Sequence, residues 1–181
     1  MSAAGPPQGA NSSPSGGSAA ASAASVGAHF RVEDRHFEDF TPGAVAEFGP
    51  IGVDETEVIA FARQFDPQAI HTDPAAAAAG PFGGLIASGW HTVGLVMRVL
   101  VDHYLARGAA LASPGIDELR WLQPVRPGDA LRVRATVLEA RRSQSKPDRG
   151  LVRTKVEALN QNGQVVMSMV AMNLFRCRNP N

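Results

Sequence analysis

The last third of the chain alternates apolar and polar residues, which is typical of strands that bury one face. The clearest alternation is LRVRATV at 131–137, and it places four residues on one face: Leu131, Val133, Ala135 and Val137. Two further β-rich runs follow it, at 151–159 and 164–175, and Asn160-Gln161-Asn162-Gly163 between them predicts a tight hairpin.

Two more strands are predicted upstream of this run. One spans about 116–123, and Arg126-Pro127-Gly128-Asp129 makes the turn that follows it. The other is a short strand over 44–51 with a bend at Gly49-Pro50.

The first helix is predicted from its caps. Asp54 can accept hydrogen bonds at the N-terminus, and Glu57 three residues later completes a capping box. Pro67 biases the preceding Asp66 away from helical angles, so the helix ends near that residue.

A second helical turn is predicted after the first. Asp73 acts as N-cap with Pro74 at the first helical position, and five alanines follow before Gly80-Pro81 stops the turn.

A long helix is predicted from Ser88 or Gly89 to about Arg107. Its apolar residues cover most of its circumference, which is typical of a buried helix. One face carries Trp90, Val93, Met97, Leu100 and Tyr104, and the other sides carry Leu95, Val96, Val99 and Val101.

The order of elements is therefore strand, helix, loop, one long apolar helix and four antiparallel strands. A single sheet has to cover that helix, since no other element can. The predicted fold is α+β, an antiparallel sheet wrapped around one long buried helix, which is the hot-dog fold. Such a sheet leaves edges to cover, so a homodimer or a dimer-based oligomer is expected.

Composition and charge narrow the class of protein. The chain has 181 residues, with 17 basic and 17 acidic side chains, and this balance argues against a nucleic-acid partner. Its single cysteine, Cys177, excludes an internal disulfide.

We expect a disordered Ala/Ser/Gly/Pro tail over 1–28 and a single domain over 29–181. No apolar run reaches membrane-spanning length, and the protein is expected to be soluble and cytoplasmic.

The stretch FDPQAIHTDP at 65–74 holds the candidate chemistry. Taken singly, Asp66 is an ordinary helix-terminal aspartate and His71 a loop histidine. His71 and Asp73 lack a third ligand, so the sequence predicts no metal site. Gly-Pro-Phe-Gly-Gly at 80–84 lacks the ending of a phosphate-binding loop.

The joint pattern resembles the MaoC-like dehydratase family, which includes the R-specific enoyl-CoA hydratases. The family motif is Asp, any residue, Asn, Pro, an aliphatic residue and His, and the chain reads Asp66-Pro67-Gln68-Ala69-Ile70-His71. Gln68 and Ala69 depart from it, while the Asp-to-His spacing matches. FGGLIASG at 82–89 and ELRWLQPVRPGDALRV at 118–133 also resemble the family.

The resemblance implies reversible hydration of a trans-2-enoyl-CoA, or a related enoyl thioester, to the (R)-3-hydroxyacyl thioester. It implies that Asp66 and His71 act together on one water molecule, and that the Gly89 N–H stabilises the thioester oxygen. A glycine at that point also lets the thioester approach closely. Coenzyme A enters only as part of the substrate, with no other cofactor. The residues expected to bind substrate are Gln68, Ile70, Ser88, Trp90 and His91.

Three further expectations remain open at this stage. Asp66 lies at a helix C-terminus, where the dipole is expected to raise its pKa. The basic residues around 141–149 suggest a solvated hairpin tip or a phosphate contact. A hot-dog thioesterase or a non-catalytic acyl-binding subunit would share the fold. The Asp-to-His spacing favours hydration over both, and free-thiol release or binding without turnover would favour one of them.

Overall fold

The computed structural model describes residues 32–179 and contains one five-stranded antiparallel sheet. The strand order is β1-β3-β4-β5-β2, so β1 and β2 form the two edges. The predicted tail over 1–28 lies outside the described residues. The strands are β1 (Val45–Gly52), β2 (Ala110–Trp121), β3 (Ala130–Arg142), β4 (Arg149–Leu159) and β5 (Val165–Arg176).

The helices lie between β1 and β2 in the chain. Two 3₁₀ turns, Val32–Asp34 and Phe37–Asp39, precede the sheet. The α-helices are α1 (Glu55–Phe65), α2 (Ala69–Thr72), α3 (Pro74–Ala79) and α4 (Gly89–His103). The predicted α+β hot-dog fold is confirmed.

The alternation in β3 builds the core. Leu131, Val133, Ala135 and Val137 are all buried, and strand pairing holds them in register with β4. Side chains on one face of a strand point the same way, so this run lines one continuous apolar surface. The same surface continues on β4 and β5 and packs against the buried side of α4.

Helix α4 is shorter and less buried than its sequence predicts. It ends at His103, with Tyr104 as C-cap, rather than near Arg107. Val96, Val99 and Leu100 are buried, whereas Trp90 and Met97 are 59% and 39% exposed. Val101 joins Trp90 and Met97 on the exposed side. One side of α4 therefore packs on the sheet, and the other remains uncovered in the single chain.

A bulge changes the direction of the last residues of β2. Three steps along β2, from Asp117 to Arg120, are matched by two along β5, from Val170 to Ser168. Glu118, inside the extra step, has a φ of 56°, a left-handed conformation that non-glycine residues adopt only rarely. An extra residue reverses the alternation of every side chain that follows it.

Within residues 32–179, no helix combines the length and the apolar character that crossing a membrane requires.

Candidate active site

Two short elements place the acid and the imidazole. Asp66 is the C-cap of α1, and its N–H donates to the Ala62 carbonyl. The backbone of Asp66 is no longer helical, as the following Pro67 predicts. The chain then makes the single turn of α2, which carries His71 and which the sequence analysis missed. These two steps place the His71 Nε2 atom 3.5 Å from the Asp66 Oδ2 atom.

The ring of His71 is held in one orientation by a backbone carbonyl. Its Nδ1 atom lies 2.8 Å from the Ile86 oxygen. Because a carbonyl oxygen only accepts, Nδ1 carries the proton in this contact. The Nε2 atom of a neutral ring is then unprotonated, and it faces Asp66. His71 is buried, and the lone pair on its Nε2 atom lies next to the Asp66 carboxylate.

Both oxygens of Asp66 accept hydrogen bonds. Gln68 Nε2 donates to Oδ1 at 2.7 Å, and Ser88 Oγ donates to Oδ2 at the same distance. These bonds favour the charged form, and together with nearby His71 they hold the pKa of Asp66 below its ordinary value. The expectation that the α1 dipole raises this pKa was wrong. Direct donors to the carboxylate outweigh the diffuse field of a helix end.

Ser88 links the carboxylate to the long helix. Its side chain is fully buried, donates to Asp66 and accepts from the Trp90 N–H at 3.3 Å. It is therefore the N-cap of α4 and a support for Asp66 at once. We predicted Ser88 as a substrate-binding residue, and the structure places it behind Asp66.

Gly89 begins α4 and lies against an indole ring. As the first helical residue, its N–H has no acceptor within the helix. A Cβ built on Gly89 would overlap the pyrrole part of the Trp121 ring. The sequence analysis attributed the glycine to close approach of a substrate, whereas the space beside its Cα is filled by Trp121.

A cavity of about 420 Å³ joins these groups. Asp66, His71 and Gly89 lie on its wall with Trp90, as predicted from the sequence. A second wall is the segment that ends β2 and leads to β3, which was not among the predicted site residues although it carries part of the family resemblance. The remaining lining residues are Phe82, Ile86, Ala87, Thr92 and the run Trp121–Val125.

Four of the predicted substrate-binding residues lie outside this lining: Ser88, described above, and Gln68, Ile70 and His91. Gln68 is exposed and bonds to Asp66, while the Ile70 carbonyl accepts from the Ile86 N–H. His91 is buried and stacks on Phe61. Burial lowers the pKa of His91, and within the described chain its Nδ1 atom has no hydrogen-bond partner. Of the predicted substrate-binding residues, only Trp90 lies on the cavity wall.

The basic residues near 141–149 lie far from the cavity. Strand β3 begins beside the cavity wall and runs for 13 residues to Arg142, a distance on the order of 40 Å. At the far end Arg142 pairs with Glu38, and Arg149 pairs with Asp148. This geometry favours the solvated hairpin tip over a phosphate contact for these residues.

Over the residues that the structure describes, no group of three or more histidine, cysteine, aspartate or glutamate side chains is arranged to hold a metal ion. Asp66 and His71 place a carboxylate and an imidazole 3.5 Å apart on the cavity wall.

Comparison with known proteins identifies the family. The MaoC like domain matches residues 38–161, which is most of the chain. The chain belongs to the MaoC-like dehydratase family. The predicted resemblance is confirmed, and the protein is an enzyme of a family of hydratases and dehydratases.

Individual relatives agree with this assignment. The chain is 39% identical over 110 residues to 3-hydroxyacyl-thioester dehydratase Z of Mycobacterium tuberculosis, covering 56% of this chain and 72% of that protein. A crystal structure of a MaoC-like dehydratase from Rhodospirillum rubrum matches with a TM-score of 0.74 and 41% identity, over 80% of this chain and 99% of that one. The R-hydratase PhaJ1 from Pseudomonas aeruginosa matches with a TM-score of 0.64 and 27% identity, over 80% and 86% of the two chains.

Proposed function

We propose that this MaoC-like protein reversibly hydrates a trans-2-enoyl-CoA, or a related enoyl thioester, to the (R)-3-hydroxyacyl thioester. The pairing of Asp66 Oδ2 with His71 Nε2 on the wall of a cavity carries this proposal. The names of relatives support it, since they include a 3-hydroxyacyl-thioester dehydratase and an R-hydratase.

The dyad suits the activation of one water molecule. A separation of 3.5 Å is too long for a good hydrogen bond between Nε2 and Oδ2, so both atoms keep capacity for a shared water. His71 Nε2 accepts the proton of that water as its oxygen attacks the β-carbon. Asp66, held charged by Gln68 and Ser88, orients the water and stabilises the imidazolium that forms.

The start of α4 suits the thioester carbonyl. As water adds to the β-carbon, negative charge develops on the thioester oxygen until the α-carbon takes up the proton that the dyad has removed from the water. The Gly89 N–H lacks an intrahelical acceptor and stands at the positive end of a 15-residue helix. A hydrogen bond from this N–H to the oxygen strengthens as the charge grows, which lowers the barrier.

The proposal requires no cofactor beyond the coenzyme A of the substrate, since each step is a proton transfer or a charge stabilisation that Asp66, His71 and Gly89 can supply. The acyl group enters the cavity, and the pantetheine arm leaves through its mouth.

We also propose that the enzyme is a homodimer. The exposed side of α4 carries Trp90, Met97 and Val101, and Ile116 on edge strand β2 is exposed as well. Apolar side chains next to an unpaired strand edge are typical of a surface that a second copy covers.

Hydration of crotonyl-CoA by the purified protein tests the activity. The enoyl absorbance is expected to fall without release of free thiol, whereas thiol release would instead indicate a thioesterase. Asp66→Asn and His71→Ala should each lower kcat by roughly 100-fold or more. Unchanged turnover in both variants would refute the dyad, and chiral analysis of the product would decide the (R) configuration.

A further inference from the structure

Trp121 is aimed at the active site by the bulge in its own strand. Asp117 lies on the outer face of the sheet, where it pairs with Arg153. Strict alternation from Asp117 would place Trp121 on that outer face too. The extra residue at Glu118 reverses the alternation, so Leu119 packs on the core and Trp121 lies on the cavity wall.

The position of the indole beside Gly89 limits the room at one end of the cavity. Its ring fills the volume that any side chain at residue 89 would need. Asp66 and His71 lie on the cavity wall as well, so the acyl group occupies the space bounded by the dyad and the ring. Trp90 meets the ring edge-to-face at a centroid distance of 5.4 Å, and both indoles line the cavity.

The ring is nevertheless available to a ligand. Trp121 is 47% exposed although Met167, the residue that it pairs with on β5, is fully buried. A half-exposed indole on a cavity wall offers a large, rigid apolar surface that gains free energy when it is covered.

We propose that Trp121 is a specificity-determining residue that limits the size of the acyl group next to its thioester carbonyl. The inference rests on the proposed function, because it uses the Gly89 N–H as the site of that carbonyl. The α-carbon is bonded to the carbonyl carbon, so a substituent on the α-carbon falls in the region that the indole bounds. Substrates without an α-substituent fit this region, and α-methyl substrates are rejected.

The test compares crotonyl-CoA with 2-methylcrotonyl-CoA in the wild type, Trp121→Phe and Trp121→Ala. Trp121→Ala should raise the ratio of kcat/KM for the methylated substrate to that for crotonyl-CoA about tenfold or more, and Trp121→Phe should raise it less. Leu138→Ala, a truncation of an exposed apolar side chain outside this cavity, should leave the ratio unchanged. A ratio within twofold of wild type in both Trp121 variants would overturn the proposal.

A binding measurement tests the role of Trp121 without turnover. Calorimetry with butyryl-CoA and 2-methylbutyryl-CoA, which have no double bond to hydrate, should show the Kd ratio shifting in the same direction. If the wild type hydrates nothing while this shift is present, the proposed reaction fails and the role of Trp121 stands. If neither ratio shifts in a folded Trp121→Ala protein, the role of Trp121 fails whatever the activity.

Fluorescence adds a direct probe of the contact. The chain has two tryptophans, Trp90 and Trp121, and both line the cavity. In a Trp90→Phe background, the emission of Trp121 should change on addition of butyryl-CoA. An unchanged emission at a concentration that calorimetry shows to be saturating would contradict the contact.

Discussion

The hydroxyl of Ser88 donates to Asp66 Oδ2 at 2.7 Å while it caps helix α4 through the Trp90 N–H. One buried side chain therefore fixes both the position of the Asp66 carboxylate and the beginning of the helix that bears Gly89. A change at Ser88 alters the stability of the fold and the geometry of the site together.

Ser88→Ala is expected to lower the free energy of unfolding by about 1 kcal/mol, the usual cost of a lost N-cap, and to lower kcat as well. Asp54→Ala is the matched control, because Asp54 caps α1 through the Glu57 N–H and lies away from the cavity. Denaturant unfolding and crotonyl-CoA hydration would measure both variants. A similar loss of stability with normal kcat in Asp54→Ala, and reduced kcat only in Ser88→Ala, supports the positioning role of Ser88. Equal kcat in the two variants contradicts it.

Gln68→Ala should raise the pKa of Asp66 toward the ordinary value of about 3.9, since it removes the hydrogen bond that lowers this pKa most. Carboxyl ¹³C NMR titration of the wild type and the variant would measure the shift. An Asp66 titration that is the same in both proteins would show that the Gln68 amide does not stabilise the charged form in solution.

The same pKa predicts how stability depends on pH. The pKa of Asp66 is lower in the folded chain than in the unfolded chain, so its contacts stabilise the fold above pH of about 4. This contribution is lost as the pH falls through the folded-state pKa. Stability measured between pH 6 and pH 2 (approximate limits that bracket the ordinary value) should fall less in Asp66→Asn than in the wild type. An identical decrease would contradict the linkage.

Gly89→Ala and Trp121→Ala should be strongly non-additive. Alone, Gly89→Ala forces the Trp121 ring to move, and we expect kcat/KM to fall about tenfold or more, because a small misplacement at the reacting centre is costly. In a Trp121→Ala background the added methyl group has room, and its effect should fall below about twofold. Alanine keeps the backbone N–H in both cases. A full loss that persists in the double variant would show that substrate approach, and not the indole, requires glycine at this position.

The proposed dimer predicts that Met97→Glu dissociates the protein into monomers. A charge at this exposed point of α4 would be buried without a partner in the interface, which is unfavourable. Leu138→Glu is the control, because Leu138 is 46% exposed on interior strand β3. Sedimentation would compare the two. A wild type that sediments as a monomer would refute the dimer itself.

Periodicity and capping chemistry predicted most of the fold. The alternation in β3 identified its buried face, and the caps at Asp54 and Asp73 identified two helix starts. These signals are local, because a cap or an alternation depends on residues a few positions apart. The turn of α2 was missed because four residues between prolines carry no periodic pattern.

The site was predicted only as far as its motif extends. Asp66, His71, Gly89 and Trp90 come from two nearby stretches of sequence and meet at one cavity. Trp121 reaches the same cavity through the register of β2 against β5. These strands are far apart in the chain, so no local sequence pattern reveals the one-residue bulge between them. The predicted direction of the Asp66 pKa was wrong because it considered the helix end and not the donors: Gln68, two residues away, lowers this pKa most, and Ser88, 22 residues away, lowers it further.

The two walls of the cavity are fastened to each other. Arg126 donates to the Phe82 carbonyl at 2.6 Å, and the Ala87 N–H donates to the Val125 carbonyl at 2.8 Å. These bonds join the glycine-rich segment before α4 to the segment after β2. Because these bonds hold the two segments in place, binding in the cavity requires little further ordering of the polypeptide, and the entropic cost of such ordering is avoided.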